Sequence, residues 1–81
     1  MEHYLPTNLQ VIRRHRNLSQ QELSDTLGIA RSRYAGWERG VSEPNISMLL
    51  KLRRVMGCPL NILLTQDLRG MLYLDLKEIL K

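Results

Sequence analysis

Leu18-Ser19-Gln20-Gln21-Glu22-Leu23-Ser24-Asp25-Thr26-Leu27-Gly28-Ile29-Ala30 decides how this chain is read, because a helix start, an apolar face and a stop follow one another without a gap. Ser19 and Glu22 stand at capping-box spacing: the serine oxygen can accept from a first-turn N–H while the glutamate reaches back to the serine N–H. Leu23 and Leu27 form the inward face with the small Ser24 beside them, and Gly28 ends the helix. After Ile29-Ala30 a second helical pattern begins. Tyr34, Trp37 and Glu38 share one of its faces, and Arg31, Ser32, Ala35 and Gly36 share the other. Gly40 closes it and leaves a polar loop, Val41-Ser42-Glu43-Pro44.

Working outward, Thr7-Asn8-Leu9-Gln10 reads as another capping box and starts a helix with Leu9 and Ile12 on its apolar edge, ending near Arg16. Asn17 follows as a residue able to take the left-handed conformation. On the other side, Asn45 is a good N-cap for a helix in which Ile46, Leu49, Leu52 and Met56 recur at helical spacing up to Gly57. Pro59 suits the first turn of a fifth helix, Leu60 to about Thr65, made apolar by Ile62, Leu63 and Leu64. The tail has two readings. Leu68, Leu72, Leu76, Ile79 and Leu80 make a helical stripe, whereas Leu72, Leu74 and Leu76 alternate with Tyr73 and Asp75 as in a strand. The expected architecture is all-α: a compact five-helix unit over residues 1–66, then an extension over 67–81 that is helical or, alternatively, a β-strand.

The chain has 81 residues, enough for one domain, and a formal charge of +4. Cys58 stands alone, so no internal disulfide forms, and with only His3 and His15 beside it no four-ligand zinc site is expected. A reducing, cytoplasmic setting fits that usage. No membrane span is encoded, no cofactor is implied, and the pairing of Cys58 with His15 lacks the third orienting group that nucleophilic catalysis needs. The charge is unevenly placed. Residues 1–64 hold nine Lys or Arg against five acids, and residues 65–81 hold three of each. Such an excess on one part of a small domain points to a polyanion, with a solvated basic face as the alternative.

Two short helices joined by a tight glycine turn make a helix-turn-helix, which presents its second helix to a DNA major groove. Leu18 to Ser24, Leu27-Gly28-Ile29, Tyr34, Trp37-Glu38-Arg39-Gly40 and Pro44 together resemble the lambda-repressor-like helix-turn-helix family, also called the Cro-type or XRE family, over about Leu9 to Leu64. The resemblance implies a transcriptional regulator of double-stranded DNA, with Gln20 on a phosphate near the N-terminus of its helix. It makes Arg31 and Ser32 base readers, Arg31 offering paired donors to a guanine. Ala35 and Gly36 lie on the same face, where the family more often carries longer polar side chains. Small residues there let the helix approach the groove floor, or Gly36 is only a weak point in the helix. Arg33 and Arg39 flank that face as phosphate contacts, and Ser42 and Asn45 match loop positions that approach DNA in the family and are expected on phosphates too, although Asn45 is also a cap. The resemblance further pairs Arg13 with Glu38 in a largely buried, structural ion pair. Ala30 departs from the commoner serine or threonine cap, and Arg53 from a usually small, apolar position.

Three functional readings follow: a DNA-binding repressor acting as a homodimer, an antitoxin-like promoter-binding module with a second protein on its tail, and an interaction adapter that has lost DNA binding. The neutral, leucine-rich tail is suited to a partner surface, so Leu72, Leu74, Leu76, Ile79 and Leu80 are expected to include dimer or partner contacts, unless the tail packs back on its own domain.

Overall fold

In a computed structural model, which describes residues 3–80, the chain folds into helices α1 (Leu5–His15), α2 (Gln20–Leu27), α3 (Arg31–Arg39), α4 (Ile46–Met56), α5 (Leu60–Thr65) and α6 (Tyr73–Ile79). No strand occurs among the described residues. α1 packs against α3 and α5, while α2 packs against α3 and α4. Leu9, Ile12, Leu23, Leu27, Tyr34, Trp37, Leu52, Met56 and Leu63 meet in the centre, each essentially without solvent contact. Burying a large aliphatic side chain of this kind contributes about 1.5 to 3 kcal/mol. The Tyr34 and Trp37 rings meet edge-on with centroids 6.0 Å apart, so the third helix brings the two largest core side chains.

α2 begins as its sequence dictates. Ser19 Oγ accepts from Glu22 N–H at 3.0 Å, and Glu22 Oε1 accepts from Ser19 N–H at 2.9 Å. At its other end Gly28 adopts φ +74°, where a Cβ would strain the backbone, and Lys51 Nζ donates to the free Leu27 carbonyl at 2.7 Å. Asn17 takes the left-handed conformation between α1 and α2, at φ +57°.

α1 starts earlier than the Thr7 capping box implies. Tyr4 is the N-cap and Pro6 lies in the first turn, where its missing N–H would have had no partner anyway. Thr7 is therefore inside the helix, and its hydroxyl donates to the Tyr4 carbonyl at 3.2 Å. The shift gives Asn8 a structural task. On one buried face with Leu5, Leu9 and Ile12, its Nδ2 donates to the Leu63 carbonyl at 2.8 Å and to that of Gln66 at 2.6 Å. Its Oδ1 accepts from Leu68 N–H at 3.0 Å. One side chain thus satisfies backbone groups left open where α5 ends.

Two further expectations are corrected by packing. Ile46, expected in the α4 stripe, is 76% exposed, because the first turn of α4 projects beyond the core and the buried stripe comprises Leu52 and Met56 with Leu49 half-buried. The tail is a helix, not a strand. A lone strand on a helical domain has nothing to pair with, whereas helical spacing turns Leu76 and Leu80 to one side, where both are buried. Leu76 and Leu80 are consequently part of the chain's own core and are withdrawn as partner contacts, and Ile79 is half-buried against the same core. Leu72 and Leu74 remain 72% and 70% exposed. Tyr73 lies against His15 at the end of α1, ring centroids 4.5 Å apart. Leu68, Leu76 and Leu80 join the cluster formed by α1 to α5, so the core continues across residue 66.

Candidate nucleic-acid interface

The base of the site is a charge buried between helices. Glu38, on the inward side of α3, accepts from Arg13 Nε of α1 at 2.7 Å and from Arg13 Nη2 at 3.2 Å. Arg13 Nη1 also donates to the Leu18 carbonyl at 2.9 Å, tying the pair to the residues just before α2. Gln20 Nε2, at the start of α2, donates to Glu38 Oε1 at 3.0 Å. One carboxylate therefore joins three helices. Burial pushes the Glu38 carboxyl up, but the hydrogen bonds of Arg13 and Gln20, with the Tyr34 hydroxyl nearby, hold it below the usual range. The Arg13 guanidinium is raised chiefly by its hydrogen bond to Glu38, and burial followed by the nearby Glu38 carboxylate pushes the Tyr34 phenol far above its ordinary value.

The opposite side of α3 faces solvent. Arg31, Ser32, Arg33 and Arg39 are exposed, and Ala35 is half-buried. None of Arg31, Arg33 and Arg39 enters an ion pair among the described residues. The Arg33 guanidinium leans on the outer face of Trp37, 5.7 Å from the ring centroid, a contact weak enough to be exchanged. Nothing caps the N-terminus of α3, since Ala30 has no side-chain acceptor.

Gly36 does not belong with this exposed set. It is buried, because the loop after α3 folds back on it: a Cβ built at Gly36 would lie 2.8 Å from Ser42 Oγ and 3.5 Å from Val41 Cγ2. Gly36 is therefore withdrawn as a base reader. Ser42 itself is exposed. The loop is held at both ends. His3 pairs with Glu43, lowering the carboxyl of that residue, and Asn45 Oδ1 accepts from Met48 N–H at 2.9 Å to cap α4. That cap uses one lone pair of Oδ1 and leaves the amide N–H groups of Asn45 for another partner. The Gln20 bond to Glu38 and the seating of Ser42 on Gly36 escape a reading by periodicity, since both join residues from different elements. An unexplained glycine in mid-helix was the one local signal for the second.

Elsewhere little chemistry is assembled. Cys58 is buried, and burial raises its thiol. Among the described residues no cluster of His, Cys, Asp and Glu is placed to hold a metal ion, and no helix is long and apolar enough to cross a membrane. Arg53, a departure from a small apolar position, is exposed.

Comparison with known proteins agrees with the geometry. The helix-turn-helix family profile matches residues 9–63. The uncharacterized HTH-type transcriptional regulator YqaE of Bacillus subtilis is 31% identical over 68 residues, covering 84% of this chain and 59% of that protein. The SPbeta prophage-derived uncharacterized HTH-type transcriptional regulator YonR of the same organism is 38% identical over 56 residues, 69% of this chain and 52% of that one. The chain thus spans little more than half the length of these relatives. The crystal structure of a transcriptional regulator from Listeria innocua superposes with a TM-score of 0.74 over 96% of this chain and 73% of that one, at 20% identity, a likeness of fold. With α2 and α3 joined by a tight glycine turn and a family profile running from within α1 to within α5, the chain belongs to the lambda-repressor-like, XRE-type helix-turn-helix family.

Proposed function

We propose that this protein is a sequence-specific double-stranded DNA-binding transcriptional regulator that lays α3 in the major groove. The observation that carries the reading is the contrast between the two sides of α3: an inward face locked by Tyr34, Trp37 and Glu38, and an outward face with three arginines lacking an acidic partner among the described residues. Arg31, in the first turn, is the base reader, pairing two donors with guanine O6 and N7, and Ser32 and Ala35 stand beside it on the groove side. Arg33 and Arg39 neutralise phosphates on either flank. Gln20 contributes the amide N–H that its bond to Glu38 leaves over, and Asn45 those that its cap leaves over. Repression is the mode favoured, since occupying a promoter needs no surface beyond the DNA-facing one. The protein works as a homodimer on two half-sites about 34 Å apart, with exposed Leu72 and Leu74 between copies. This is a binding function and includes no catalytic step.

Selection of bound duplexes from a random pool tests it. A consensus should emerge, and Arg31→Ala should relax preference at one position of it; a uniform loss across all sequences would make Arg31 a phosphate contact. Affinity should also fall steeply with salt, and a flat response would sink the nucleic-acid reading.

A further inference from the structure

We propose that Ser42, from the loop between α3 and α4, reads a base edge in the place that Gly36 vacates on α3. The inference rests on the DNA-binding reading above and changes what that interface contains. Gly36 stands one helical turn after Ser32, so a side chain there would extend the groove-facing stripe. It has none, and the loop fills the gap: Ser42 Oγ sits 2.8 Å from the position of the missing Cβ. That hydroxyl makes no hydrogen bond among the described residues, and its residue is exposed. A hydroxyl can donate or accept, so it suits the edge of any of several bases. Pro44, two residues on, is buried, and the His3–Glu43 pair and the Asn45 cap brace the loop beyond it. Ser42 is thus a held donor and acceptor on the reading face, not the loop-to-phosphate contact that the family resemblance implies.

The geometry supplies two independent ways to remove the hydroxyl. Ser42→Ala deletes it. Gly36→Ala turns it away, because a Cβ at 2.8 Å leaves no room for the present rotamer while Val41, at 3.5 Å, remains in ordinary contact. Both variants and the wild-type chain are put through selection from a random duplex pool, followed by binding to single-base variants of the wild-type consensus. Ser42→Ala and Gly36→Ala should lose about fivefold discrimination at the same base pair, and Arg31→Ala should act at a different one. Unchanged preference in Ser42→Ala, or an equal loss over every duplex, overturns the assignment to Ser42. Loss at two different base pairs overturns the coupling to Gly36. Ser42→Ala, at an exposed position, decides alone if Gly36→Ala does not fold. A wild-type chain that selects no consensus removes the DNA-binding reading itself, an outcome distinct from these.

Discussion

α3 and α6 are built to the same outline and held very differently. Each is a short helix with no side-chain N-cap, one face inward and one in solvent. In α3 the inward face carries Tyr34, Trp37 and Glu38, none more than 5% exposed, with Glu38 bonded to both neighbouring helices. In α6 only Leu76 is buried, helped by Leu80 just beyond its end. The outward faces differ in kind as well: arginines on α3, and Leu72 and Leu74 at the start of α6. In the DNA-binding role proposed above, a surface that meets phosphates and base edges needs a rigid mount, and a peripheral apolar helix does not. Local stability should follow that division.

The strongest way to break the contrast is to remove the anchor of α3. Glu38→Ala strands the Arg13 guanidinium and the Gln20 amide, and should destabilise the protein by about 3 to 5 kcal/mol in urea unfolding. A loss under about 1 kcal/mol would mean that the aromatic rings alone hold the helix. Acid probes the same carboxylate: because its folded pKa lies below the ordinary Glu value, its stabilisation is present above that value and fades as pH falls through the folded one. Glu38→Gln should therefore flatten part of the stability loss below about pH 4.5.

A smaller effect is expected at α6. Leu76→Ala should remove about 2 kcal/mol, the low end for a buried leucine, and hydrogen exchange should quicken at the α6 amides while those of α3 keep their protection. Equal acceleration in both helices would erase the distinction between mount and periphery. Smallest for the folded monomer are Leu72→Ser and Leu74→Ser, which should shift stability by no more than about 0.5 kcal/mol. If these side chains lie between copies, light scattering will record the double variant at half the wild-type mass; an unchanged mass excludes them from that contact.

What was legible from sequence divides along a related line. The Ser19–Glu22 box, the stop at Gly28 and the inward phase of Tyr34, Trp37 and Glu38 depend on neighbours three or four residues away, and they stand in the structure as read. Thr7 misleads because its spacing to Gln10 satisfies the same local rule, while Pro6 and the burial of Leu5 let the helix start three residues, nearly a full turn, sooner. Ile46 misleads because apolar periodicity says nothing about where a helix leaves the core. The tail satisfied two periods at once, and only the presence of a core for Leu76 and Leu80 separates them. In the site, the arginines were legible by phase; the seating of Ser42 on Gly36 was not, since a loop path is set by contacts that no period encodes.

The buried Asn8 bears on assembly as well as on the finished fold. Its three hydrogen bonds reach across 55 to 60 residues of chain, so they form only when nearly the whole polypeptide has closed on itself. Sliding α1 by one residue would put Thr7 or Leu9 in its place and leave the Leu63 carbonyl and the Leu68 N–H unmatched in the core, at about 1 to 3 kcal/mol apiece, and the Gln66 carbonyl unmatched as well. A leucine at position 8 would pack in several neighbouring alignments with little to choose between them. The asparagine accepts one, and so acts as a proofreading step that rejects the chain's own near-miss folds.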